Sequence, residues 1–90
     1  MNWEETLIEA FKNETRLRII KVLSSGRKNI SRIVRETGKS YISVERNLEG
    51  LRNAGIVKER RLGRVRLYEL SDDEYVRRIL RCIFGVMEGV

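Results

Sequence analysis

Between Lys58 and Arg66 five cations, Lys58, Arg60, Arg61, Arg64 and Arg66, stand against a single carboxylate, Glu59. A guanidinium is always charged and donates in a planar fork that matches phosphate oxygens or a guanine edge, so an arginine cluster of this density suits a polyanion. The bias runs through all 90 residues: fourteen of the nineteen Lys and Arg residues are Arg, the formal charge is +6 and the pI is near 10.0. Nucleic acid and an anionic membrane surface are the partners such a balance fits. What is missing narrows the chemistry further. With no His and one Cys, Cys82, the chain has no internal disulfide, no Cys/His zinc ligand set and no His-based acid–base or nucleophile pair. The expectation is a protein that is not an enzyme, with no catalytic residue, no cofactor and no metal.

The elements that must position these cations are punctuated by glycine, since proline is absent. Asn2 with Glu5 predicts the start of a first helix carrying Trp3, Leu7, Ile8 and Phe11 at helical spacing. Asn13 opens a second, with Leu17, Ile19, Ile20, Val22 and Leu23, stopping near Gly26. Asn29 caps a short third, ending at Thr37-Gly38. Ser40 begins a fourth, on which Val44, Leu48 and Leu51 form an apolar stripe flanked by Tyr41 and Asn47, while Ile42, Arg46, Glu49 and Asn53 point the opposite way. Gly50 inside this helix costs about 1 kcal/mol relative to Ala, which close packing against another helix would offset. From Ile56 to Leu70 the pattern becomes that of a hairpin with its tip at Leu62-Gly63-Arg64. Ser71 with Glu74 predicts the cap of a last helix carrying Tyr75, Val76, Ile79, Leu80, Ile83, Phe84, Val86 and Met87. The fold class is mainly α with a small β-hairpin, in the order α-α-α-α-β-β-α. One domain spans 1–90, divided into a helix-turn-helix at 29–54, a hairpin at 56–70 and a C-terminal dimerisation helix at 72–89.

A short helix, a glycine turn and a longer helix form the arrangement in which the second helix enters the major groove. On that helix Ser40, Tyr41, Ile42, Ser43 and Arg46 occupy the turns that meet DNA. Arg46 can fork onto guanine or be a solvated charge paired with Glu45 or Glu49. Ile42 can touch a thymine methyl or pack on the preceding helix, and Ser40 serves as cap and phosphate donor. Lys39, with Lys28, Arg32 and Arg35, is a candidate for phosphate contact. In a two-stranded hairpin alternate residues face opposite sides, so Arg60, Arg61, Arg64 and Arg66 cannot all touch one phosphate track, and tip residue Arg64 is the strongest minor-groove candidate. The opposing reading is an edge strand guarded by charge.

Asn13-Glu14-Thr15-Arg16-Leu17-Arg18-Ile19-Ile20-Lys21-Val22-Leu23, Leu51-Arg52-Asn53-Ala54-Gly55-Ile56-Val57 and Gly63-Arg64-Val65-Arg66-Leu67-Tyr68-Glu69-Leu70 resemble the second helix, the recognition-helix exit and the wing of ArsR-type winged helix-turn-helix regulators, prokaryotic and archaeal-like. The resemblance covers about residues 7 to 71. It implies a homodimeric, sequence-specific transcription regulator of double-stranded DNA, usually a repressor. Many of its members sense metals through Cys and His ligands on the third or last helix. The third helix here, Asn29 to Thr37, has no ligand thiol, so metal sensing is not carried over. The surplus apolar face of the last helix (Ile79, Leu80, Ile83, Phe84, Met87), with Trp3, Leu7 and Phe11, predicts the homodimer interface.

No run of 18 apolar residues exists and the first ten carry Glu4, Glu5 and Glu9, so no membrane span or signal peptide is expected and the location is cytoplasmic. The last helix opens with Asp72, Asp73 and Glu74, which argues against a membrane-surface helix. Two alternatives stay open: a winged-helix module for protein interaction, and a non-specific nucleic-acid or chromatin binder.

Overall fold

Side-chain oxygens decide where the helices begin. In the computed structural model, which describes residues 2–88 with the side chains of Phe84, Val86, Met87 and Glu88 outside the described set, Asn2 Oδ1 accepts the Glu5 N–H at 2.9 Å and opens α1 (Trp3–Ala10). Asn13 accepts the Arg16 N–H at 2.9 Å and opens α2 (Glu14–Leu23). Asn29 does the same for Arg32 at 2.9 Å at the head of α3 (Ile30–Thr37), and Ser40 for Ser43 at 3.2 Å at the head of α4 (Tyr41–Asn53). Each cap satisfies an N–H that the helix itself cannot, a contribution of about 1 kcal/mol. Between α3 and α4 the chain must turn sharply, and Gly38 does so at φ 71°, its N–H closing α3 on the Val34 carbonyl at 3.1 Å. A side chain would be strained in that left-handed conformation.

Three antiparallel strands complete the frame: β1 (Lys28–Asn29), β2 (Val57–Leu62) and β3 (Val65–Leu70), in spatial order β1-β3-β2. The β2–β3 hairpin turns through Gly63-Arg64, with Leu62 opposite Val65. Gly63 has φ 62°, and no described residue other than glycine has positive φ. Glycine first at a two-residue tip is the type II′ pattern, whose twist suits the strands. Strand β1 was not among the expected elements: two residues, Lys28 and Asn29, pair with Tyr68 and Leu67, too few to show a period.

The last helix, α5 (Glu74–Glu88), corrects the expected cap. Asp73 Oδ1 accepts the Val76 N–H at 3.1 Å, so Asp73 is the cap rather than Ser71. The Ser71 N–H is still bonded to the Ile56 carbonyl at 2.8 Å and its buried hydroxyl accepts from Asp73 at 3.1 Å. The sheet therefore holds the backbone for two residues beyond where a helix could otherwise start.

One core joins all the layers. Ile19, Ile20 and Leu23 of α2, Ile33 of α3, and Val44, Leu48 and Leu51 of α4 pack with Ile56, Val57 and Tyr68 of the hairpin region. Val76, Leu80 and Ile83 carry α5 into the same cluster, beside Ala10 of α1. Fully burying such side chains stabilises the fold by about 1.5–3 kcal/mol each. The α4 stripe is the one its spacing predicts, so the helix is fixed in rotation and its opposite face is fixed outward.

Candidate nucleic-acid interface

That outward face is open. Ile42 is 68% exposed, and with Arg46, Glu49 and Asn53 it lines a groove whose opposite wall is Arg66 of β3. Helix and hairpin therefore share one side of the molecule. Arg46 has no ion pair among the described residues, whereas Glu49 is engaged by Arg52 at 3.4 Å. Most of the Ile42 side chain is open to solvent, and an exposed apolar side chain beside a guanidinium with no ion pair among the described residues has the chemistry that a thymine methyl and a guanine O6/N7 pair would meet.

The inner face of α4 is tied to the rest of the molecule by polar contacts. Arg16, only 7% exposed, donates from Nη1 to the Glu9 carboxylate at 2.6 Å and to the Glu9 carbonyl at 3.1 Å, and from Nε to Asn47 Oδ1 at 3.1 Å. Asn47 Oδ1 also accepts from Asn13 at 2.9 Å, and its amide donates to the Ser43 carbonyl at 2.8 Å. One buried cation thus links α1, the cap of α2 and the middle of α4. Gly50 is explained by the same group: a Cβ built there would lie 1.9 Å from Arg16 Nη2. The close packing expected at Gly50 is real, and the partner is a guanidinium on α2.

In the hairpin, the register sorts the arginines by face. Val57, Glu59 and Arg61 share a side with their partners Leu70, Tyr68 and Arg66, and the burial of Val57 and Tyr68 turns that side toward the core and α4. Arg60 lies on the other side, opposite Leu67, paired with Glu69. Glu59 gathers the inner cations: Arg52 of α4 at 2.7 Å, Arg66 at 2.9 Å and, more loosely, Arg61 at 3.7 Å. Arg66 also donates to the Tyr68 hydroxyl at 3.0 Å. That hydroxyl, and then Glu59, push the Arg66 guanidinium above its already high ordinary value, so it stays charged. Arg64 stands at the tip with no ion pair among the described residues.

A helix–glycine turn–helix followed by a basic hairpin on the same side is an arrangement found in known proteins. The family model described as "Bacterial regulatory protein, arsR family" matches residues 13–59. An uncharacterized HTH-type transcriptional regulator of Methanocaldococcus jannaschii is 33% identical over 78 residues, covering 86% of each chain. The chain belongs to the ArsR family. An HTH-type transcriptional regulator of Mycobacterium tuberculosis is 29% identical over 69 residues, 77% of this chain; the chain spans 30% of that relative's length. A solution structure described as the homodimeric winged helix-turn-helix DNA-binding domain of a possible ArsR-family regulator from Mycobacterium bovis superposes with a TM-score of 0.75 at 24% identity, over 93% of this chain and 81% of that one. The fold is that of a winged helix-turn-helix, and the family is one of transcriptional regulators, not enzymes. On this fold α4 is the second helix of the helix-turn-helix, the position called the recognition helix, and β2–β3 is the wing.

The sequence-predicted residues fall into distinct places on this ArsR fold. Tyr41 and Ile42 are exposed at the head of the recognition helix, beside the cap Ser40. Ser43 is half-buried with its hydroxyl 3.5 Å from Thr15, turned toward α2. Lys39 pairs with Glu14 at 3.2 Å, and this bond, then Arg18, holds the Glu14 carboxyl below its ordinary range. Lys28 is not free for phosphate: its buried ammonium folds back onto Ser25 at 2.9 Å and the Gly26 carbonyl at 3.3 Å. Of the expected interface residues, Leu80 and Ile83 are 2% and 3% exposed and belong to the protomer's own core. They face inward because α5 must close the cluster over α1 and the sheet. Trp3 and Phe11 are exposed, Leu7 and Ile79 half-buried, and the side chains of Phe84 and Met87 lie outside the described residues. Glu9, Arg16, Asn47 and Glu59 hold this face in place without having been named as site residues; a glycine inside an otherwise regular helix was the available signal for the first three. Among the described residues no helix is long and apolar enough to cross a membrane.

Proposed function

We propose that this chain binds specific double-stranded DNA as a homodimer, placing the head of α4 in the major groove and the wing on the flanking backbone or minor groove. The observation that carries this reading is the shared groove of Ile42, Arg46, Glu49, Asn53 and Arg66: outward-facing residues of the helix and a wing arginine converge on one side. Arg46 and Ile42 read bases, with Tyr41, Ser40 and Ser43 at the head of the helix. Arg64, Arg61 and Arg66 grip the sugar–phosphate track, and Arg60 and Lys39 add charge at the margins. Two copies meet through α1 and α5, where Trp3, Phe11 and Tyr75 leave apolar surface exposed; the related mycobacterial domain is described as homodimeric. A two-fold pair sets recognition helices about 34–36 Å apart. The family resemblance points to a repressor, which works in the cytoplasm by occupying its operator.

Selection of bound duplexes from a random pool tests the reading. It predicts an enriched, two-fold symmetric sequence with half-sites one helical turn apart. Uniform recovery of all sequences would instead mark a non-specific binder, and no recovery a protein-interaction module.

A further inference from the structure

Away from the groove beside α4, a cavity of about 310 Å³ opens where the end of α2, the turn after it, the base of β3 and the first half of α5 meet. Leu23, Leu70 and Leu80 supply apolar wall, and Arg27, Arg77 and Arg81 supply the charge. None of these three arginines has a carboxylate partner among the described residues. The carboxylate lining the same cavity, Glu69, is held by Arg60. Arg77 is oriented from behind, its Nε donating to the Ser71 carbonyl at 3.2 Å, which leaves its two terminal nitrogens for another acceptor.

We infer that this cavity binds a small organic anion, a carboxylate or phosphate head on an apolar body about the size of a phenyl ring. Three unmatched guanidiniums around one recess give forked donors for the head, and the leucines give the body a place out of water. The volume lies at the small end of ligand pockets, which combine an apolar wall with a few convergent polar groups. A DNA phosphate fits less well: a duplex backbone has no use for the leucine wall, and the cavity shares no residue with the groove along α4.

The test is a backbone amide NMR titration of the full chain with benzoate and phenyl phosphate, with benzyl alcohol and inorganic phosphate as probes lacking the charge or the body. Saturable shifts at Gly26, Leu70 and Leu80 are expected with either aromatic anion, and affinities at least roughly tenfold weaker for the two partial probes. Arg77→Gln and Arg81→Gln, both at exposed positions, should each weaken binding by roughly tenfold, and Arg81→Gln should do so with the melting temperature unchanged. The inference is overturned by an absence of saturable shifts with both aromatic anions, by equal binding of benzyl alcohol or inorganic phosphate, or by Gln variants that bind as the parent does. A loss of duplex affinity in Arg77→Gln with no probe present would also overturn it, since these arginines would then be backbone contacts.

Discussion

The recognition helix and the wing hold their arginines in opposite ways. On α4 the inner side is fixed by a buried guanidinium, and the outer Arg46 is left without an ion pair among the described residues. In the wing most cations are already answered: Arg60 by Glu69, Arg66 by Glu59 and Tyr68, Lys58 by Asp72, with Arg64 alone at the tip. A count of charges along Lys58 to Arg66 therefore overstates what the wing offers to DNA, because a phosphate must compete there with a carboxylate. The helix offers fewer groups, and its outward arginine is unpaired among the described residues. Specificity is thus expected from the helix and a modest, uniform affinity from the wing.

The largest effect should come from breaking what holds the helix. Arg16→Met strands Glu9 and empties the contact with Asn47; since Glu9 keeps 29% of its side chain exposed, the loss should be about 2–3 kcal/mol in urea denaturation, below that of a fully buried pair. Gly50→Ala probes the same point from the other side: it should destabilise the parent, yet in the Arg16→Met background that penalty should shrink toward the roughly 1 kcal/mol helix gain of Ala over Gly. Next, Arg46→Ala should cost about 1–3 kcal/mol of binding and relax preference at one base position in each half-site, read by competition with single-base variants. Arg64→Ala should weaken all sequences alike and reduce the salt slope by about 1. Smallest are the paired cations. Arg60→Gln, on the wing's far face, should leave affinity within about twofold, in line with the small worth of an exposed ion pair.

Glu14 gives a pH version of the same contrast. Lys39 and Arg18 depress its carboxyl below the ordinary 4.5, so the pairing stabilises the fold above that value and is lost as pH falls through the lower, folded-state value. Glu14→Gln should flatten the acid limb of the stability curve slightly, and by freeing Lys39 raise duplex affinity a little at neutral pH, both measurable by denaturation and titration.

Much of this architecture was legible in the residues because local signals agree. Asn2, Asn13, Asn29 and Ser40 are caps by their chemistry, Gly38 and Gly63 mark turns that need positive φ, and Val44, Leu48 and Leu51 fix the rotation of α4 by spacing alone. Elements that depend on distant partners were not legible. Strand β1 exists because Lys28 and Asn29 meet β3, and the start of α5 is delayed because Ser71 is still bound to Ile56. Leu80 and Ile83 show the limit of amphipathic reasoning: a helical stripe says that a face is buried, but not whether the protomer's own core or a second copy buries it. Pairing in the wing was equally hidden, since only the register reveals that Glu59 sits among Arg52, Arg61 and Arg66.

The docking is tested most directly by methyl and amide NMR of the protein on addition of the duplex recovered by selection. The Ile42 methyl and the amides of Arg46 and Arg64 should move together and saturate at one duplex per two chains, while the buried Val44 and Leu48 methyls stay nearly still. If Ile42 and Arg46 keep their free shifts while another surface responds, the recognition helix does not face DNA and the proposed docking is wrong.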